Sequence, residues 1–103
     1  MKITHAEPYL TSDVRSSAVL LKIETDAGIT GYGEATNHFL PQASYGMLQD
    51  LIPYLIGEDP ERIEYLWQSC FRRRFYRGGP ATGAALSAID MALWDIKGKA
   101  HGV

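Results

Sequence analysis

The first third of the chain alternates between apolar and polar positions. Val19, Leu21 and Ile23 alternate with one apolar and two charged residues, namely Leu20, Lys22 and Glu24. A repeat of two residues is typical of a β-strand that buries one face, because successive side chains point to opposite sides of a sheet. We therefore predict a strand here whose core face carries the apolar residues at positions 19, 21 and 23.

A second strand is predicted after a turn that ends at Gly28. Residues 29–35 should return antiparallel to the first strand, and Gly31 and Gly33 share one of its faces. A strand face made of glycine and alanine indicates that another backbone approaches closely. The segment at residues 2–10 alternates poorly, and Pro8 suits an edge strand, so we predict a three-stranded antiparallel meander.

After Pro41 the apolar period changes to that of a helix. Pro53 is expected to kink or shorten the first helix, and the Asp59-Pro60 pair resembles the start of the second. The apolar stripe of the first helix is Met47, Leu48, Leu51, Ile52 and Leu55. The stripe of the second is Ile63, Leu66, Trp67, Cys70 and Phe71.

The third predicted helix runs from near Ala81 to Ala100 and can end at Gly102. Its apolar stripe is rich in alanine, which allows close packing: Ala85, Ala88, Ile89, Ala92, Leu93 and Ile96. Strands followed by helices indicate an α+β domain with the helices on one face of the sheet. The predicted fold is a three-stranded antiparallel β-meander followed by a three-helix (or four-helix) cluster.

Length and charge exclude several classes of protein. A chain of 103 residues is one domain and is far shorter than the roughly 250 residues of a (β/α)₈ barrel. A net charge of -2 argues against binding to nucleic acid or to an anionic membrane. One cysteine, Cys70, excludes an internal disulfide. Without a signal-peptide pattern or a long apolar run, we expect a cytoplasmic protein.

The most basic segment begins at Arg72 and ends at Arg77, and it contains four arginines and two aromatic residues. Such a segment can bind single-stranded nucleic acid. It can also be the basic carboxyl end of a helix, stabilised by the helix dipole, or it can reach an anionic substrate or a partner domain. A free-standing interaction or nucleic-acid-binding module is therefore the alternative reading of the chain.

Two polar loops are candidates for ligand contact. The loop after the glycine-rich strand carries Asn37 and His38, whose side chains can recognise hydroxyl and carboxylate groups. The loop at residues 11–17 carries Asp13 and Arg15 at another strand end. Both loops could equally be ordinary connections.

No catalytic or metal-binding set is predicted within the chain. The three histidines are scattered, and none is paired at the spacing of a helical metal motif. Asp90 and Asp95 are too poorly aligned on the third helix to act as a paired acid and base, and lysines such as Lys97 and Lys99 are expected partners. We predict no catalytic residue, metal ligand or cofactor for this chain alone.

The segment from Ala88 to Gly102, with the sequence AIDMALWDIKGKAHG, resembles the enolase superfamily. Residues 28–35 and 55–80 fit the same resemblance, which extends over the whole chain. More narrowly, the chain resembles the N-terminal capping domain of the mandelate racemase/muconate lactonizing enzyme group. Its sugar-acid dehydratases of the mannonate and galactonate type are the most similar.

The resemblance implies an enzyme that abstracts a proton alpha to a carboxylate, with Mg²⁺ stabilising the intermediate; this chemistry belongs to the superfamily and is not deduced from these residues. Its metal ligands and bases lie on a barrel domain that is absent from this chain. Residues 1–103 would then be a lid, inactive alone, which binds a sugar acid only together with a barrel.

The resemblance also implies which residues touch substrate. The capping loops correspond to residues 11–17 and 36–43, and Asn37 is the first choice, with His38 and Arg15 as further candidates. Apolar surface that is left without a barrel should promote association, so a homo-oligomer is expected.

Overall fold

A computed structural model describes residues 1–12, 17–36, 41–72 and 80–103. The strands are β1 (Ile3–Ser12), β2 (Ser17–Thr25) and β3 (Thr30–Glu34). The helices are α1 (Pro41–Leu51), α2 (Ile63–Arg72) and α3 (Pro80–His101), with a short 3₁₀ turn at Ile52–Tyr54. This order confirms the predicted α+β fold, a β-meander followed by helices.

The sheet has the order β1-β2-β3, and both neighbouring pairs are antiparallel. The first pairing begins at Ile3 opposite Thr25 and contains one irregularity next to Ile3. Gly28 adopts a φ of 74° in the turn between β2 and β3, which is a conformation that glycine reaches without strain. β1 is an edge strand, as Pro8 predicted.

One face of the sheet forms the core. Val19, Leu21 and Ile23 are fully buried, as their alternation predicted. The opposite face is open, and Tyr9 and Tyr32 on it are exposed. The helices that the structure describes therefore pack against the other side of the sheet.

Helix α3 lies directly against β3. A Cβ atom built on Gly33 would be 2.0 Å from the carbonyl oxygen of Ala88, and one on Gly31 would be 2.2 Å from that of Ala92. Real Cβ atoms do not approach backbone so closely, so both strand positions require glycine. The predicted close approach of another backbone is confirmed, and the helix that makes it is α3.

The first two helices close the other side of the core. Leu48 and Leu51 of α1 and Leu66 of α2 are buried, and α1 ends before Pro53, as predicted. The predicted start of α2 at Asp59-Pro60 is wrong by a few residues, because α2 begins at Ile63. The Asp59 carboxylate instead accepts the Glu61 N–H at 2.9 Å and forms a tight turn ahead of the helix.

Candidate functional site

Both candidate loops leave the same end of the sheet. Ser12 pairs with Ser17 across the first loop, at the last register position of β1 and β2. At the same end of β2, the N–H of Ala35 donates to the carbonyl of Val19 at 2.7 Å, just before the second loop. Antiparallel pairing thus anchors the two loops on adjacent strands.

Helix α3 begins at this end as well. It runs antiparallel to β3, because its earlier residue, Ala88, lies against Gly33, while Ala92 lies against Gly31. Pro80 is eight residues before Ala88, which in an α-helix is about 12 Å of length. The first two turns of α3 therefore extend towards the end of the sheet from which the loops leave.

The predicted substrate-contacting residues Asn37, His38 and Arg15 lie outside the described residues. They stay predictions, as does any role for the arginines from 73 to 77. Arg72 is described: it is exposed, and its Nε donates to Gln68 Oε1 at 2.9 Å on the same helix.

Two polar residues that the sequence did not single out border the second loop. The Thr36 hydroxyl donates to a carboxylate oxygen of Glu34 at 2.5 Å, and Glu34 is exposed. A carboxylate at this place can accept hydrogen bonds from ligand hydroxyl groups. The signal that could have found Glu34 is its place on the polar face of β3, immediately before the loop.

A second polar cluster joins α3 to the free edge of β3, at the other end of the strand. Asp95 Oδ2 accepts the Tyr32 N–H at 3.0 Å and the Lys99 ammonium at 3.0 Å. Lys99 also donates to the carbonyl of Thr30 at 2.7 Å. The prediction that a lysine on the helix would be a partner of Asp95 is confirmed for Lys99. The hydrogen bonds to the backbone of β3 were not predicted, because nearly every residue carries the same backbone groups and the sequence does not show which of them are bonded.

The pKa of Asp95 is lowered from its ordinary value. Partial burial opposes ionisation, but the hydrogen bonds from Lys99 and from the Tyr32 N–H outweigh it. On the open face of the sheet, Lys22 and Glu24 form an ion pair at 2.8 Å, which raises the pKa of Lys22 and lowers that of Glu24. The contacts of Asp95 and Lys99 join α3 to β3, whereas the Lys22–Glu24 pair lies within β2.

The described residues do not fit a magnesium ion. Within residues 1–12, 17–36, 41–72 and 80–103, no group of three His, Cys, Asp or Glu side chains could hold a metal. Two histidines lie beside single carboxylates instead: His101 is 2.6 Å from Glu61, and His5 is 3.5 Å from Glu7. In the same part of the chain, no helix has the length and apolar character needed to cross a membrane.

The sequence of the chain was compared with those of known families and proteins. Residues 4–103 match the family described as mandelate racemase / muconate lactonizing enzyme, N-terminal domain. D-galactonate dehydratase from Ralstonia pickettii (strain 12J) is 46% identical over 103 residues, which are 100% of this chain and 26% of that protein. The enzyme of the same name from Pectobacterium atrosepticum is 51% identical over 82% of this chain and 22% of its own length.

Solved structures share the fold. An enolase from Pantoea ananatis with bound D-gluconate and magnesium superposes with a TM-score of 0.90 and 43% identity over 97% of this chain and 25% of its own. A member of the enolase superfamily from Salmonella Typhimurium superposes with a TM-score of 0.89 and 40% identity, over 97% of this chain and 27% of its own. This chain spans about a quarter of the length of the curated relatives it matches. The chain belongs to the mandelate racemase / muconate lactonizing enzyme family, of which it forms the N-terminal domain.

Proposed function

We propose that this chain is the capping domain of a magnesium-dependent sugar-acid dehydratase and supplies two loops that contact the substrate. The observation that carries the proposal is the common exit of the two candidate loops from one end of a sheet. This sheet belongs to an N-terminal domain whose relatives include enzymes named D-galactonate dehydratase. A rigid sheet that presents adjacent loops is a suitable support for recognition.

The chemistry of the proposal is divided between this chain and the rest of a longer enzyme. Proton abstraction alpha to a carboxylate needs a base and, in this superfamily, magnesium. The described residues offer no metal cluster. We assign both tasks to a barrel domain that lies outside these 103 residues, and we expect the chain to be inactive alone.

The task left to this chain is to orient the substrate and exclude water. Asn37, His38 and Arg15 would bind hydroxyl groups or the far end of a sugar acid. Closing a lid over such a substrate fixes its orientation and removes competing water. A cytoplasmic location and a homo-oligomeric state belong to the same proposal.

The nucleic-acid-binding alternative has no support among the relatives, which are dehydratases and enolase-superfamily members. Its basic segment lies mostly outside the described residues, and the charge of the chain is -2. We therefore do not propose it as the function.

The proposal is tested by grafting residues 1–103 onto the remaining part of the Ralstonia pickettii dehydratase and measuring D-galactonate dehydration. Asn37→Ala should raise KM about tenfold, because it removes roughly one hydrogen bond to the substrate. His38→Ala and Arg15→Ala are tested in the same way. Gln49→Ala, which removes an exposed amide from α1, is the matched control and should leave KM unchanged. An unchanged KM in all three loop variants would contradict the proposed role of the loops.

A further inference from the structure

The end of β3 is fixed from the core side just before the loop at residues 37–40. Gly33 lies against the backbone of Ala88 in α3, and Ala35 is buried. The Ala35 N–H also donates a backbone hydrogen bond to β2 at 2.7 Å. Thr36 is the last described residue before the loop. The chain therefore enters this loop from a strand end that packing and a backbone hydrogen bond hold in place.

The outer face of the same strand end carries a bond between two side chains. The Thr36 hydroxyl donates to a carboxylate oxygen of Glu34 at 2.5 Å, a short distance that is typical of a hydrogen bond to a charged acceptor. Residues two apart share one face of an extended chain, so this bond keeps Thr36 in line with β3. Within the described residues, the backbone pairing to β2 ends with Ala35. Beyond that residue, the side-chain bond joins Thr36 to the strand.

The Glu34 carboxylate has no competing ion pair in the described part of the chain. Glu34 is exposed and forms no salt bridge there, whereas Glu24 on the neighbouring strand pairs with Lys22 at 2.8 Å. Threonine is β-branched, so few side-chain rotamers are lost when Thr36 is held in one position. The pair lies at the surface and is suited to hold the start of the loop rather than to strengthen the core.

We propose that Glu34 is a positioning residue that holds the start of this loop through the Thr36 hydroxyl and so presents Asn37 to the substrate. The inference rests on the proposed function, in which Asn37 binds a sugar acid. Helix α1 begins at Pro41, so the loop has four residues between two attached ends. Ordering a flexible segment on binding weakens affinity, and a start that is already fixed removes part of this cost.

The test uses residues 1–103 grafted onto the remaining part of the Ralstonia pickettii dehydratase and measures the kinetics of D-galactonate dehydration. Thr36→Val keeps the shape of the side chain and removes the hydroxyl. It should raise KM about fivefold and change kcat by less than about twofold, because it weakens binding and not the chemical step. Thr36→Ser keeps the hydroxyl and should retain a nearly normal KM. Glu34→Ala should match Thr36→Val, and Glu34→Gln, which keeps an acceptor oxygen, should have a smaller effect.

Double-mutant cycles establish whether these residues act through one another. Glu34→Ala should raise KM little further in a protein that already carries Thr36→Val. A second loss of similar size would show that Glu34 binds the substrate by itself, and it would overturn the inference. Thr36→Val should likewise have little effect in the Asn37→Ala background, because the side chain that it positions is then missing.

Thr4→Val is the matched control. It removes an exposed hydroxyl that donates to the Glu24 carbonyl at 3.3 Å, at the opposite end of the sheet, and should leave KM unchanged. Far-ultraviolet circular dichroism establishes that each grafted variant is folded. If Asn37→Ala raises KM and Thr36→Val does not, the inference is overturned and the proposed function stands. If Asn37→Ala leaves KM unchanged, the role of Asn37 in the proposed function fails, and the inference fails with it.

Discussion

The carboxylate of Asp95 on α3 accepts the backbone N–H of Tyr32 on β3 at 3.0 Å, so a helix side chain binds the free edge of the sheet. Lys99, one turn later, donates to the next outward carbonyl of the same strand, that of Thr30. Unpaired edge groups invite pairing with another strand. Asp95 and Lys99 therefore protect part of this edge while they fix α3 along β3.

The first prediction concerns the pH dependence of this contact. Asp95→Asn keeps an acceptor oxygen but removes the charge, and it should lower the free energy of unfolding by about 1 kcal/mol at pH 7. The folded-state pKa of Asp95 is lowered, so its stabilising effect is complete above the unfolded pKa of about 3.9 and is lost as the pH falls through the folded pKa. Urea unfolding at several pH values measures the difference.

The control for this prediction is Asp90→Asn on the same helix. Within the described residues, Asp90 has no ion pair like the one between Asp95 and Lys99. The control should change stability by less than Asp95→Asn at neutral pH. A loss in Asp95→Asn that is equally large at pH 7 and in strong acid would show that the charge is not what stabilises the contact.

The second prediction concerns the contact between β3 and α3. Gly33→Ala should destabilise the domain by about 3 kcal/mol, because the new methyl group would clash with the backbone of Ala88. A backbone within a helix cannot move aside as a flexible side chain can. Gly46→Ala is the matched control. Gly46 lies within α1 with no atom near its Cβ position, so this change should stabilise by about 0.5–1 kcal/mol. Equal effects of the two substitutions in urea unfolding would refute the close approach.

The third prediction concerns the thiol of Cys70, which is fully buried in the core-facing side of α2. A thiol-specific reagent can reach it only when the domain opens, so the folded chain should react slowly and the chain in concentrated urea at once. The logarithm of the reaction rate should rise in Gly33→Ala in proportion to the loss of free energy of unfolding, about tenfold for each 1.4 kcal/mol. Rapid labelling of the folded, unmodified chain would show that α2 does not cover this residue.

The sequence predicted most of the fold because the core obeys simple periods. The three residues at alternate positions of β2 are buried, and the alanine-rich stripe of α3 is buried throughout, from Ala85 to Ile96. Gly31 and Gly33 also predicted the close approach, since a strand rarely carries glycine without such a reason. What the pattern could not supply was the element that approaches, because a period of two residues carries no information about partners distant in sequence.

The start of α2 and the edge contact were harder for a related reason. Asp59 and Pro60 are common at the start of a helix, but the same aspartate can also stabilise a local turn. Here the Glu61 N–H donates a hydrogen bond to the Asp59 carboxylate. The bond from Tyr32 to Asp95 involves a backbone donor, which every residue except proline possesses. For the candidate site, the pattern placed two loops at strand ends, and pairing of β1, β2 and β3 brings those ends together. The roles of Asn37, His38 and Arg15 come from family resemblance and stay predictions.

Hydrogen exchange alpha to the carboxylate of D-galactonate tests the central claim most directly. The 103-residue chain is incubated with the sugar acid and Mg²⁺ in D₂O, beside the same chain grafted onto the remaining part of the Ralstonia pickettii dehydratase, and the C2 proton is followed by NMR. A capping domain without its own base and metal should leave that proton unexchanged, while the grafted protein removes it. Magnesium-dependent exchange by the 103-residue chain alone would contradict the account.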